Sequence, residues 1–347
     1  MAAQLQKNQP LPPNPYSAVT NLEWHNAYSS CLNFQNETRS AIQIIRARVL
    51  GYLILEAPIQ EGRTYVCSEI FRCNGNSDKL WKLADLYITH LIRFFKQSKS
   101  TTPAPSERSS RPSFEEEVYW SRCTLDEAPT DHRTAKRECL VRDNFHCLGT
   151  GRMELGYYRT LSAAEQIQAQ GPVRTAAAHI FPPLTNQDLD LPEQEQDRKT
   201  PYSTTIQAIV HNFSGISVLD ELNGSSIHKP SNILTLEVTL HSLFDDLHLW
   251  FEAVPNTLNT YDIGLAFYLG PHLVPHTSVT FSTNTERLLP DPRFLKLHAA
   301  VCRIAHLSGA AEYIESYDRD TKSTTVLARD GSSADLLSFA LQGVQVF

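Results

Sequence analysis

The sequence lacks the long apolar runs that would mark a membrane-spanning or exported chain. None of its 347 residues lie in a stretch approaching the roughly 18 uninterrupted apolar residues that a spanning helix requires. The N-terminus is polar and rich in proline, without the apolar core of a secretory signal peptide. The sequence therefore predicts no membrane segment and an intracellular location, either nuclear or cytoplasmic.

Cysteines are also few, and their spacing predicts neither disulfides nor a zinc site. An odd number without regular close pairing is typical of a reducing compartment. Cys147 has its nearest neighbour, Cys139, eight positions back, whereas a structural zinc needs four ligands, usually in short paired spacings. We therefore interpret Cys147 as a buried residue beside a glycine turn. The seven cysteines are Cys31, Cys67, Cys73, Cys123, Cys139, Cys147 and Cys302.

Positive charge is scarce as well. The chain carries 31 Lys and Arg against 38 Asp and Glu, giving a net charge of -7 and a pI near 6.0. This balance argues against a protein that coats nucleic acid through a broad basic surface. The 41% hydrophobic content is enough for a sizeable core, and the length favours two domains or one domain with a large extension.

The first third of the chain predicts a helical region. Residues 1 to about 18 read as a loose arm, and the apolar stretch Ala41 to Leu55 predicts a buried helix that Pro58 stops. A second, amphipathic helix is predicted from about Asp78 to Gln97. We predict an N-terminal helical region over 1–97 and a Ser-, Thr- and Pro-rich linker over 98–113.

The most informative stretch runs from Asn232 to Asp245. Leu234 and Leu236 alternate as in a short strand, and from about Glu237 the apolar residues recur at helical spacing. His241 and Asp245 are four positions apart, so on a helix their side chains share one face, about 6 Å apart at the Cβ atoms. That spacing would let both side chains hold one metal ion.

Three ordered motifs resemble the HNH endonuclease family, in particular its fungal members. They are Ala178-His179-Ile180, then Asn232-Ile-Leu-Thr-Leu236, then His241-Ser-Leu-Phe-Asp245. Upstream, Arg142-Asp143 with Cys147 and Thr150-Gly151 is similar to the family's R-D-x-x-x-C-x-x-T-G hairpin. Together with weaker similarity after Leu247, the resemblance covers roughly the last two thirds of the chain.

The resemblance implies an α+β fold with a ββα-metal (HNH) core, an N-terminal helical region and a C-terminal helical extension. We place an HNH-like nuclease domain at 114–262, with the polar stretch 185–202 as an inserted loop, and an extension packing on that domain at 263–347. His179 and His241 should then meet across a β-hairpin packed on a helix, with side chains within roughly 8 Å, about the span of one ion or a bridging water.

The resemblance also implies residue roles. His179 would be the general base, Asn232 would fix the loop or orient the base, and His241 and Asp245 would be ligands of a divalent ion, namely Mg, Mn, Zn or Ni. The family often has an acid next to the first His, but 174–178 contains none. A His-rich set without that carboxylate would favour Zn, Mn or Ni over Mg. DNA would be the partner.

Other interpretations stay open at this point. His179 is a core or turn histidine in the absence of the motifs, Asn232 suits a turn after Pro230-Ser231, and Asp245 suits a solvated helix end. A second function class is an HNH-like fold without nuclease activity, serving as a binding protein or for small-molecule chemistry, and a third is a purely structural interaction module. The further histidines considered near the site are His211, His228 and His248. The sequence does not indicate the oligomeric state.

Overall fold

The computed structural model describes residues 3–96, 131–169, 171–183 and 205–323. The predicted linker at 98–113, the predicted helical piece at 114–120, Cys123 and the predicted inserted loop at 185–202 lie outside these residues. The described chain forms two compact units, each built from three segments. One contains the described residues of Met1–Gln4, Phe95–Pro183 and Asp220–Ala299, and the other those of Leu5–Phe94, Leu184–Leu219 and Ala300–Phe347.

Helices and short strands alternate along the described chain. The helices are α1 (Leu22–Glu37), α2 (Ala41–Leu55), α3 (Gln60–Arg72), α4 (Ser77–Tyr87), α5 (Arg93–Phe95), α6 (His132–Arg142), α7 (Leu155–Tyr158), α8 (Ala163–Gln168), α9 (205–214), α10 (Val218–Glu221), α11 (Val238–Asp245), α12 (Pro292–Ser308) and α13 (Ala310–Ser323). The strands are β1 (Ala3–Gln4), β2 (Met153–Glu154), β3 (Pro172–Val173), β4 (Thr175–His179), β5 (Ile233–Glu237), β6 (Leu249–Ala253), β7 (Thr260–Leu265) and β8 (Ser278–Thr280). Mixed helices and small sheets of this kind confirm the α+β class.

The unit that contains α1 to α4 is helical in its described residues. Helix α2 has the bounds that its apolar run predicted, and Leu50, Leu53 and Ile54 within it are fully buried. The predicted second helix begins at Ser77 and passes through a π-helical turn, Ile88–Ile92, before α5. Burial of the apolar stripe therefore continues across the change of helical type, because Ile88 and Leu91 are buried within the π turn.

The arm predicted to be loose is held in place instead. The N–H groups of Asn8 and Gln9 donate to the carbonyls of His306 and Leu307. The hydroxyl of Tyr28 donates to the Pro12 carbonyl at 2.9 Å, and Leu11 is buried. Proline lacks an N–H but keeps a carbonyl that can accept, so a Pro-rich segment can still be tied to helices by their side chains.

The other unit holds the small sheets. Strands β6 and β7 pair antiparallel, β8 pairs antiparallel with β7, and β1 pairs with β7 in parallel. Strands β4 and β5 form a separate antiparallel pair, and β2 and β3 a short parallel one. The predicted boundary at 262/263 falls inside β7, whose residues 263–265 complete the pairing with β6. The chain past 262 therefore continues this unit as far as 299 rather than starting a separate extension.

The core of this unit contains a buried histidine stacked on a motif residue. The rings of His298 and Phe244 lie 3.8 Å apart at their centroids and are nearly parallel, with an interplanar angle of 10°. A ring N–H of His298 also bonds the Phe244 carbonyl. Burial lowers the pKa of His298 to about 3, against the small opposing effect of that bond. His298 is therefore a neutral core side chain that holds the C-terminal turn of α11.

Because His298 is neutral when buried, we expect the free energy of unfolding to depend on pH. Between pH 6.5 and about 3 the unfolded chain binds a proton at His298 that the folded chain does not, so stability falls as the pH falls through this window, by about 1.4 kcal/mol per pH unit. We expect His298→Gln, whose amide can still donate to the Phe244 carbonyl, to unfold with a shallower pH dependence between pH 6.5 and 4. Thermal or urea unfolding across this range measures it.

The matched control is His272→Gln, which removes an exposed histidine of the same unit and should leave the slope unchanged. The pKa of His179 is lowered into the same pH window. Every variant that retains His179 should therefore keep part of the dependence of stability on pH. If the free energy of unfolding of His298→Gln changed with pH as steeply as that of the wild type, protonation of His298 would not be what destabilises the fold.

Candidate active site

The candidate site is built on β4, β5 and α11. The two strands pair in register from Thr175 opposite Glu237 to His179 opposite Ile233, so His179 ends β4 beside the first residue of β5. Helix α11 begins at Val238, directly after β5, as the switch from alternating to helical spacing predicted. Because the helix follows the strand without a loop, the motif residues of all three elements are held by regular backbone.

Asn232 joins the ends of these elements from a fully buried position. Its Oδ1 accepts from the Phe181 N–H at 2.8 Å, and its Nδ2 donates to the carbonyls of Phe181 at 3.1 Å and Ile227 at 2.9 Å. Its own carbonyl accepts from the Ile180 N–H. The side chain thus ties the backbone just after His179 to the backbone just before His228. The loop-fixing role that the resemblance implied for Asn232 would use these bonds, and the role itself stays a prediction.

A buried ion pair supports the segment around Asn232. Arg142 bonds both carboxylate oxygens of Asp143, at 2.6 Å and 2.7 Å, and neither side chain is exposed. The remaining Arg142 donors reach the carbonyls of Pro230 at 2.6 Å and Ile233 at 3.0 Å, on either side of Asn232. A planar guanidinium with several fixed donors suits this use. The Arg142–Asp143 pair of the upstream motif therefore fixes the backbone on both sides of Asn232.

The turn from Cys147 to Gly151, which follows this pair, is hydrogen-bonded to β5. The Leu148 N–H donates to the Thr235 carbonyl at 2.8 Å, and the Glu237 N–H donates to the buried Sγ of Cys147 at 3.2 Å. Gly151 has a φ of +68°, which favours glycine. A Cβ on Gly149 would come within 2.7 Å of a Leu240 methyl, so a larger residue there would force the Leu240 side chain of α11 to shift. Cys147 is a buried residue beside a glycine turn, as its spacing predicted.

His241 and Asp245 share one face of α11, as their spacing predicted. His241 Nε2 lies 3.1 Å from Asp245 Oδ2, and the two side chains are 25% and 19% exposed. Asp245 Oδ1 is buried and has no hydrogen-bond partner among the described residues. One imidazole and one carboxylate with a spare oxygen fit a divalent ion that takes nitrogen and oxygen ligands.

In the described parts of the chain, no group of three or more His, Cys, Asp or Glu side chains is arranged to hold a metal. A divalent ion at His241 and Asp245 would therefore take its other ligands from water or substrate, as Mg²⁺ commonly does beside one or two carboxylates. The donor set fits an ion that is shared with substrate and does not fit a closed structural site.

His179 lies among other imidazoles. Its Nε2 is 3.1 Å from Nδ1 of His228, and its ring centroid is 5.5 Å from that of His132. The His132 ring in turn bonds the Ala177 carbonyl on β4. His179 is only 5% exposed, whereas His228 is partly exposed and His132 is exposed. The site is therefore a cluster of histidines around one buried member.

The cluster shifts the protonation of its central member. Burial, followed by the positive charges that His132, His228 and His241 would carry, lowers the pKa of His179 to about 3. His132 keeps much of its surface in solvent, but the part of its ring that packs in the cluster is desolvated, which lowers its pKa; burial likewise lowers the pKa of His228. In both cases the nearby Asp131 carboxylate opposes the shift. His179 is thus a neutral imidazole at physiological pH, which is the state that a proton acceptor needs.

The structure brings the four motif residues into one region, and it adds two that the sequence did not select. The electrostatic effect of His241 on His179 agrees with their predicted proximity, while the 8 Å limit itself stays a prediction. In the sequence His228 is one of several weak candidates, and no motif points to His132. Neither has a local signal, since they reach His179 across 49 and 47 positions of chain. His211 belongs to the other unit.

Comparison with known families singles out the same stretch. Residues 165–252 match the model of a family described as HNH endonuclease. The matched stretch includes His179, Asn232, His241 and Asp245, as well as His228. No curated protein and no solved structure matches the chain. In the described residues no helix is long and apolar enough to cross a membrane.

Proposed function

We propose that this protein is an HNH-type, metal-dependent endonuclease that hydrolyses phosphodiester bonds in nucleic acid, with DNA as the first substrate to test. One observation carries the proposal: within the HNH endonuclease match, β4 ends on a buried neutral histidine, and the helix that follows its paired strand carries a histidine and an aspartate on one face. We take β4, β5 and α11 as the ββα-metal core.

His241 and Asp245 would hold the ion in this core. When bound, a divalent ion stabilises the charge that develops on the phosphate and on the leaving oxygen. The spare Asp245 oxygen and the Nε2 of His241 are the atoms available to it. His241 Nε2 lies 3.1 Å from Asp245 Oδ2, so the two side chains already stand together on α11 before substrate arrives. A bound ion would take the place of the proton shared between these two atoms.

His179 would remove a proton from the attacking water. It is neutral in the free protein, so it can accept a proton without first losing one. A phosphodiester anion in the site would raise the pKa of His179 from its low value, because negative charge favours the imidazolium. Proton acceptance is thereby coupled to the presence of substrate.

Asn232 would keep this base in place. Its bonds to Phe181 and Ile227 fix the backbone on the C-terminal side of His179, and Asn232 leads directly into β5. General-base catalysis needs the acceptor nitrogen within hydrogen-bonding distance of the water, and a fully buried clamp supplies that constraint without contacting substrate.

The proposal is tested on the full chain with a supercoiled plasmid. We expect nicking in the presence of Mg²⁺, Mn²⁺, Zn²⁺ or Ni²⁺ that stops on addition of EDTA and returns when one of these ions is restored, with metal content measured on the same samples. The control is His272→Gln, which should nick like the wild type. Protein that carries metal but cuts neither DNA nor RNA would support the alternative of an HNH-like fold used for binding or small-molecule chemistry.

A further inference from the structure

Two imidazoles in the site form a pair whose geometry assigns a role to each. His179 Nε2 and His228 Nδ1 are 3.1 Å apart, and their rings are roughly perpendicular, at 71°. Each neutral imidazole carries one N–H and one lone pair, so a hydrogen bond between these nitrogens requires that one ring donates and the other accepts. The pair therefore couples the tautomer of His179 to that of His228.

Only one of the two arrangements leaves His179 able to act as a base. If His228 donated, the lone pair on Nε2 of His179 would be used and its Nδ1 would carry the proton, so no lone pair would remain for water. If His179 donates from Nε2, its Nδ1 keeps the lone pair. We propose that His228 is a positioning residue, which accepts the Nε2–H of His179 at its own Nδ1 and so directs the Nδ1 lone pair of His179 to the attacking water.

The proton balance in this arrangement is simple. The water proton moves to Nδ1 of His179, and the remaining hydroxide forms the new bond to phosphorus. The bond to the leaving oxygen breaks with its electron pair on that oxygen, which takes a proton from solvent water. The proton on Nε2 of His179 stays shared with Nδ1 of His228, which stabilises the new imidazolium as a hydrogen-bond acceptor. His228 itself touches neither water nor phosphate in this step.

The backbone around the pair is built to keep this bond. Asn232 donates to the carbonyl of Ile227, the residue before His228, and bonds both backbone groups of Phe181, two residues after His179. One fully buried side chain thus fixes both segments that carry the pair. On the other side, the His132 ring lies beside His179 and bonds the Ala177 carbonyl of β4. Fixed backbone on either side limits the freedom of His179 to turn away.

The role of His228 rests on the proposed function, because only a base needs its lone pair aimed at water. The test compares three substitutions at this position. His228→Ala removes the acceptor. His228→Asn places an oxygen at the same number of bonds from the backbone as Nδ1, and His228→Gln places its oxygen one bond further away, nearer the Nε2 position.

We expect His228→Ala to lower kcat by about 10-fold to 100-fold, the usual effect of removing the partner that orients a functional histidine, with KM and metal content unchanged. His228→Asn should recover most of the lost rate and His228→Gln little of it. His272→Gln is the matched control, and thermal unfolding checks that each variant is folded. Loss of metal in His228→Ala, a rate within twofold of wild type, or equal rates for the Asn and Ala variants would each overturn the proposal.

A spectroscopic measurement separates this inference from the nuclease assignment. In protein labelled with ¹⁵N-histidine, we expect His179 to show an Nε2-protonated tautomer with an unprotonated Nδ1, and His228→Ala to disturb that pattern. If wild type cuts no nucleic acid, the nuclease assignment fails, and the tautomer alone then decides whether the pair exists. An Nδ1-protonated His179, or a tautomer indifferent to His228, overturns the pair whatever the activity.

Discussion

His241→Ala should abolish both bound metal and cleavage, whereas His179→Ala should abolish most cleavage and leave the metal in place. The two effects separate because, in the proposed site, His241 would be a metal ligand paired with Asp245 on α11, while His179 would be the proton acceptor. Loss of a general base costs roughly 10²-fold to 10⁴-fold in rate. Metal analysis of each variant, together with single-turnover cleavage of a labelled duplex, measures both quantities.

Asp245→Asn provides the matched comparison for the ligand pair. It preserves the size of the side chain and one oxygen but removes the charge, so metal affinity should fall while the fold is retained. His272→Gln serves again as the histidine control. Retention of full metal content in His241→Ala would exclude the His241 and Asp245 site, and equal metal loss in His179→Ala would mean that His179 is a ligand and not the base.

Arg142→Ala should give the largest loss of stability of any substitution near the site, about 3 to 5 kcal/mol, which is typical of removing one partner from a buried ion pair. The substitution would leave the unexposed Asp143 carboxylate without its counter-charge and would remove the Arg142 donors from the Pro230 and Ile233 carbonyls. Because these carbonyls flank Asn232, the loss should also disorder the clamp on His179. Urea unfolding at pH 7 measures the change in free energy.

Arg293→Ala is the control for charge removal as such. Arg293 pairs with Glu221 and Asp291 in the same unit, but its side chain is 56% exposed, so its loss should cost no more than about 1 kcal/mol. The double variant Arg142→Met with Asp143→Leu should recover part of the stability, because it leaves no buried charge behind. If Arg142→Ala were no worse than Arg293→Ala, the buried pair would not be what holds the Pro230–Asn232 turn.

Much of the local structure was readable from the sequence because it depends on short-range patterns. The apolar run Ala41–Leu55 predicted the bounds of its helix correctly at both ends. The change from alternating to helical spacing at Glu237 predicted the junction between β5 and α11. The spacing of His241 and Asp245 placed them on one helix face, and their contact follows from helical geometry alone. The arm at the N-terminus was misjudged because its bonds go to helices far along the chain.

The order of the motifs and the helical and strand periods were determined by the sequence itself, because each depends on residues within a few positions of one another. Only the tertiary structure decided which histidines surround His179. His132 and His228 reach it because α6 packs on β4 and β5 and because Asn232 bonds both Phe181 and Ile227. Such contacts arise from buried donors and acceptors meeting across the fold, and no spacing along the chain encodes them.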